Sequence, residues 1–152
     1  MPSIHLAELL KQEESKTLEF KRDLSSPDKA LQSIVAFANT AGGILVLGVE
    51  NGTKHVRGIT DPLKEEERLA SLIADRIEPR LVPSVEIVAW RSIQVIIAEI
   101  FPSQNRPHCI KNLGPENGVF VRIGSTNRKA DKPLIADMQR FVRNETYDES
   151  PN

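Results

Sequence analysis

At 152 residues, 39% hydrophobic and 27% charged, the chain is sized for one domain with a genuine core. A net charge of −1 excludes a blanket polycation, and a single cysteine, Cys109, excludes an internal disulfide and fits a reducing cytoplasm. The longest strictly apolar run, Ile34 to Ala38, falls far short of the roughly 20 residues of a membrane helix, and Met1 to His5 lacks the basic flank and apolar stretch of a secretory signal. A cytoplasmic protein without a membrane partner is therefore expected.

Ile4 to Gln12 reads as a short helix with a partial apolar stripe, and Thr17 to Lys21 as a short strand. Ser26-Pro27-Asp28 opens a helix, with a hydroxyl cap followed by a proline whose missing N–H costs nothing in the first turn. Leu31, Ile34, Val35 and Ala38 then recur at helical spacing, which predicts one buried face, and Gly42-Gly43 ends the helix. Ile44 to Val49, broken only by Gly48, predicts a buried central strand. Asn51-Gly52 predicts a tight two-residue turn, with His55 to Ile59 pairing back.

Asp61-Pro62 opens a second helix, with Leu69, Leu72, Ile73 and Ile77 facing inward and Pro79 and Pro83 bracketing its end. Val85 to Trp90 and Ile93 to Ile100 predict an antiparallel pair, Gly118 to Ile123 a further strand, and Gly124 to Lys129 a small polar loop. Leu134, Ile135, Met138, Phe141 and Val142 predict the buried stripe of a last helix. The polar residues from Asn144 read as a flexible tail, which divides the chain into a domain over 1–143 and a tail over 144–152. Strands outnumber helices and connect mostly as hairpins, so the expected class is α+β, a mixed, largely antiparallel sheet with helices packed against it.

Charge is unevenly distributed. From Phe101 to Arg143 there are eight lysines and arginines against three acids, a net +5. Within that segment Arg122 sits mid-strand, and Gly124-Ser125-Thr126-Asn127-Arg128-Lys129 combines small residues, hydroxyls and cations. Exposed backbone N–H groups, hydroxyls and cations are the chemistry of phosphate contacts, which position a nucleic acid without reading its sequence. Arg106, His108 and Lys111 could line the same groove; a solvated charged surface is the alternative. One Trp, one Tyr and five Phe, most on core-like positions, argue against an extended base-stacking surface.

A second cluster, Glu14-Ser15-Lys16-Thr17-Leu18-Glu19-Phe20-Lys21, places two carboxylates beside lysines. Spaced by five, Glu14 and Glu19 would face opposite ways in one strand and converge only if the chain turns before Thr17. Converged, they could seat Mg²⁺ or Mn²⁺; Lys21, which shares a face with Glu19, could instead make a structural ion pair or neutralise a phosphate. No G-x-x-x-x-G-K-[ST] or G-x-G-x-x-G is present, so no ATP site is expected. His108 and Cys109, adjacent on a strand, project to opposite faces, which makes a dyad unworkable and Cys109 a core residue. His5, His55 and His108 lack zinc spacing.

In order, the Glu14–Lys21 cluster, Ala36-Phe37-Ala38-Asn39-Thr40-Ala41-Gly42-Gly43, Leu47-Gly48-Val49-Glu50-Asn51-Gly52, Arg106-Pro107-His108 and Val121-Arg122-Ile123-Gly124-Ser125-Thr126-Asn127-Arg128 resemble the Schlafen/AlbA-type domain, a DNA- or RNA-binding family historically labelled "divergent AAA". The resemblance runs from about Leu10 to Val142 and implies much the same α+β fold. It implies a nucleic-acid-binding module, of the kind found at the N-terminus of transcription regulators, that grips DNA or structured RNA through Lys21, Arg106, His108, Lys111, Arg122, Ser125, Thr126, Arg128 and Lys129, without a cofactor. A homodimer would double the phosphate contacts. Nuclease members of the group use two glutamates in the Glu14 and Glu19 positions and a third acid after the Gly-Val turn, with Mg²⁺ or Mn²⁺. Here that third position falls on Glu50 or on Asn51, so a metal-dependent endoribonuclease is the alternative function, and a protein-interaction domain that keeps only the fold is a third.

Overall fold

The computed structural model describes residues 5–149, the side chains of 141–149 excepted. Its elements run α1 (Leu6–Leu10), β1 (Leu18–Lys21), α2 (Pro27–Asn39), β2 (Gly43–Leu47), α3 (Pro62–Arg76), β3 (Ile77–Glu78), β4 (Ser84–Trp90), β5 (Ile93–Ile100), β6 (Cys109–Ile110), α4 (Gly114–Asn117), β7 (Phe120–Ile123), β8 (Thr126–Lys129) and α5 (Lys132–Glu149). The main sheet has the order β1-β2-β5-β4, with β1 parallel to β2 and the other pairs antiparallel. This is the α+β arrangement the strand and hairpin pattern predicts.

Register explains why β2 is apolar at every position. Leu45 and Leu47 pair with Ala98 and Ile96 and face α2 and α3, while Val46 pairs with Ile97 and faces the other way, onto Leu6 and Leu9 of α1. A strand buried on both faces cannot alternate with polar residues. Helices thus cover both faces of the sheet at its centre.

The helix α2 departs from its expected single buried face. Ser33 and Asn39, off the apolar stripe, are as buried as Leu31 and Ile34. The cause is a second layer, since β7 and β8 pack on the side of α2 turned away from the sheet. Asn39 ties that layer down. Its Nδ2 donates to the backbone carbonyls of His108 (3.0 Å) and Phe120 (2.9 Å), and its Oδ1 accepts from the His108 N–H (2.8 Å). After Asn39 the chain leaves the helix through Gly42 at φ +77°, a left-handed conformation that glycine adopts without strain. Gly43 lies against the Phe37 ring, where an added Cβ would stand 2.4 Å from a ring carbon.

Several local expectations are corrected. The Asn51-Gly52 turn is longer than two residues, closing with the Glu50 N–H on the His55 carbonyl, and the return segment makes only an isolated bridge, Val49 to Val56. Residues 124–129 do not form a loop: Gly124 and Ser125 make a two-residue turn, and Thr126–Lys129 return as strand β8 against β7. Gly124, at φ +58°, supplies the left-handed conformation such a turn requires. Leu134 is exposed, not buried, while Ile135 and Met138 pack against Cys109, Val119, Val121 and Ala130. The helix α5 continues to Glu149, across residues assigned from their polarity to the tail. Phe141 and Val142 of its expected stripe lie outside the described side chains.

Candidate functional site

The odd spacing between Glu14 and Glu19 is resolved by a turn. The Ser15 N–H donates to the Leu18 carbonyl at 3.0 Å, so the chain reverses between the two glutamates before β1 begins. Glu14 then reaches back along β1, its Oε2 accepting the Phe20 N–H at 2.9 Å. Burial, foremost, and the nearby Glu19 charge push the Glu14 carboxyl above its ordinary range, against the lowering effect of that N–H. Glu14 and Glu19 line one cleft of about 480 Å³ together with Lys21, Lys29, Glu50 and Asn51. The two positions open to the third acid therefore both sit on its wall.

Glu19 is not a free ligand in this cleft. It is 7% exposed. Its Oε1 accepts from Arg122 Nη1 at 2.7 Å, and its Oε2 accepts from the Ser33 hydroxyl at 2.5 Å with Lys21 Nζ 3.4 Å away. The ring closes through Asn127, whose Nδ2 donates to Ser33 Oγ (2.9 Å) and whose Oδ1 accepts from Arg122 Nη1 (2.9 Å).

Arg122 is the residue whose placement departs most from expectation. Its side chain is fully buried, with the guanidinium 4.8 Å from the Phe37 ring centroid. A guanidinium carries five N–H donors, and every one is engaged. Nε donates to the Ser15 carbonyl, Nη2 to the Ser15 and Leu18 carbonyls, and Nη1 to Glu19 and Asn127. The expected phosphate contact by Arg122 is corrected on that ground: no donor and no surface remain. Arg122 instead fastens the β7–β8 hairpin to β1.

His108 is corrected likewise. Its ring is buried, with Nδ1 2.8 Å from the Pro79 carbonyl and Nε2 2.5 Å from Ser103 Oγ. A carbonyl can only accept, so Nδ1 carries the proton and Nε2 accepts from the serine. Burial pushes the His108 pKa down. Cys109 is buried, as its apolar reading requires, and desolvation raises its thiol pKa.

The remaining expected contacts stay at the surface. Ser125, Thr126, Arg128 and Lys129 are exposed around the hairpin, as is Lys111, and Arg106 is half-buried with Nη1 3.4 Å from the Thr40 carbonyl. Lys129 Nζ donates to Asn117 Oδ1 at 2.7 Å and Arg128 Nε to Thr126 Oγ1 at 3.2 Å. Sequence reasoning missed Ser33, Lys29 and Asn127. The one hint for Ser33 was a hydroxyl directly before the apolar run 34–38; nothing local marks Asn127 as its partner.

For a divalent metal the donor set does not fit as arranged. Glu14 is turned to the Phe20 N–H, Glu19 to Arg122 and Ser33, and Glu50 to Arg57 and Thr53. Among the described residues no group of three or more His, Cys, Asp or Glu side chains is placed to hold a metal ion.

The family model for "Schlafen, AlbA_2" matches residues 14–131, from the first cleft glutamate to the end of the hairpin. This chain belongs to the Schlafen AlbA_2 family. A solution structure of the N-terminal domain of a protein from Nitrosomonas europaea, described as related to the ATP-dependent DNA helicase RecG, is similar at 27% identity and a TM-score of 0.61, covering 82% of this chain and 90% of that one. The DIP2311 protein of Corynebacterium diphtheriae shares the fold at 17% identity and a TM-score of 0.61, over 89% of this chain but 27% of its own. No curated protein matches. The family points to a nucleic-acid-associated domain, and no helix among the described residues is long and apolar enough to cross a membrane.

Proposed function

We propose that this Schlafen AlbA_2 domain binds duplex or structured nucleic acid through the solvent-exposed residues of the β7–β8 hairpin, as a regulatory module whose effect is occupancy rather than cleavage. The observation that carries the reading is the division of labour within the hairpin. Arg122 and Asn127 turn inward and tie it to β1 and α2, while Ser125, Thr126, Arg128 and Lys129 stay in solvent on the backbone those bonds hold. A rigid strand presenting cations loses less conformational entropy on gripping a phosphate backbone than a mobile loop would. Lys111 and Arg106 extend the basic surface, and Lys21, held by Glu19, adds charge at the cleft.

The test is retardation of a labelled stem-loop RNA and a duplex DNA across a salt series, for wild type and Arg128→Ala/Lys129→Ala. If both cations contact phosphates, the variant binds more weakly and the slope of log K against log salt falls by about 2, close to one per lost contact. An unchanged slope and affinity would remove the hairpin from the interface; no binding by wild type even at low salt would favour a protein partner. The same incubations with Mn²⁺ or chelator address the endoribonuclease alternative. Metal-dependent cleavage abolished by Glu14→Gln would require Glu19 to leave Arg122 and would replace the occupancy reading.

A further inference from the structure

Among the described residues only two non-glycine positions adopt positive φ, Lys54 (+59°) and Arg91 (+57°), and both line the same cavity. Arg91 opens the two-residue turn Arg91-Ser92 between β4 and β5, closed by the Trp90–Ile93 pair. Glycine, asparagine or aspartate is the ordinary occupant of a positive-φ position in such a turn. Lys54 stands in the loop after β2, over 35 residues earlier in the chain. Left-handed backbone at a long side chain is strained, and strain of this kind concentrates at ligand sites. Two separate turns accept it, and both border one hollow.

That hollow has a volume of about 350 Å³. Its lining includes His55 and Trp90, the sole tryptophan of the chain, along with Leu10 and Ile93. No acidic side chain lines it. Lys54 Nζ is paired at 2.7 Å with Glu13, a carboxylate that is itself 84% exposed. A pair with so exposed a carboxylate is weak and readily exchanged for a phosphate. The Arg91 guanidinium lies 5.8 Å from the Trp90 ring centroid, at the outer limit of a cation–π contact, and is exposed enough to swing outward.

We propose that this cavity is a nucleotide site, with a base stacked on Trp90 and its phosphate held by Lys54 and Arg91. Every base has a π-face, so stacking on one indole is tolerant of base identity. The volume lies near the lower end of the roughly 300–1,000 Å³ typical of small-molecule sites, which suits one nucleotide. The same chemistry is offered by a free nucleotide and by one unit of a single strand. The site goes beyond the hairpin reading and does not rest on it.

The experiment is titration of Trp90 fluorescence, excited at wavelengths where bases do not absorb, with adenosine monophosphate and separately with a short single-stranded oligothymidylate. Saturable quenching is expected with at least one probe, weakened about tenfold by Lys54→Ala or Arg91→Ala. Quenching by the monophosphate makes it a small-molecule site; quenching by the strand alone makes it an extra grip on single-stranded nucleic acid. Arg91→Gly relieves the turn, so it should raise Tm while weakening binding. The proposal fails if neither probe quenches, or if Lys54→Ala and Arg91→Ala quench like wild type. Either failure leaves the hairpin reading intact, and loss of the hairpin reading leaves this titration unchanged.

Discussion

Replacing Arg122 with alanine deletes five hydrogen bonds at once and leaves Glu19, 7% exposed, facing a cavity. Breaking a buried ion pair from one side costs about 3–5 kcal/mol, because the surviving charge is stranded. Here Ser33 still donates to Glu19 and Lys21 stands 3.4 Å away, which places the expected loss near the lower end, about 3 kcal/mol. For a domain of this size each kcal/mol moves Tm by about 2–4 °C, so the melting point should fall by about 6–12 °C. Thermal and urea unfolding of wild type, Arg122→Ala and Arg122→Lys measure it. Lysine restores the charge with three donors in place of a planar fork of five, so it should recover only part of the loss. A Tm within about 2 °C of wild type, combined with a large drop in nucleic-acid affinity, would refute the reasoning. That outcome would mean the guanidinium works on the ligand and not on the fold.

Four further outcomes follow from the structure. Glu19→Gln should destabilise almost as much as Arg122→Ala, since it leaves a buried guanidinium without its counter-charge; loss of any activity in that variant must be read beside its Tm, whereas the half-buried Glu14 gives a cleaner probe. Glu14 holds its proton more tightly folded than unfolded, so its contribution to stability declines as pH rises above the ordinary 4.5; Glu14→Gln, which keeps an acceptor for the Phe20 N–H, should flatten that decline in a Tm-against-pH series. His108 has the opposite sense: with its folded pKa below the ordinary 6.5, stability is full above that value and falls as pH drops through the folded pKa, which an imidazole NMR titration and unfolding between pH 7 and 5 would show. Gly43→Ala should cost about 1–3 kcal/mol by driving a methyl into the Phe37 ring, measured by urea unfolding.

Much of the architecture was legible locally. Ser26-Pro27 and Asp61-Pro62 mark helix starts and Gly42 a helix end through backbone chemistry that needs no distant partner. Asp61 completes its cap with Oδ1 accepting the Lys64 N–H at 3.3 Å, whereas Ser26 makes no such bond. The apolar run after Gly43 predicts a strand buried on both faces, and the order of the islands around Glu14–Lys21, Gly42-Gly43 and Arg122–Arg128 resembles the family to which the chain belongs. The pair of carboxylates on one cleft wall was legible as a possibility, conditional on a turn.

Which way each charged side chain points was not. Arg122 and Arg128 look alike in sequence, two cations on neighbouring strands, yet one is buried and saturated and the other exposed. The difference comes from the packing of β7 against α2, which brings Glu19, Ser33 and Asn127 together from positions up to 108 residues apart. A buried charge is stable only where partners converge to meet it, and convergence is a property of the assembled layers. Composition and spacing determined that this chain makes an α+β domain with a basic third segment. Only tertiary structure decided that its most conspicuous arginine fastens the fold while Arg128, on the neighbouring strand, stays in solvent.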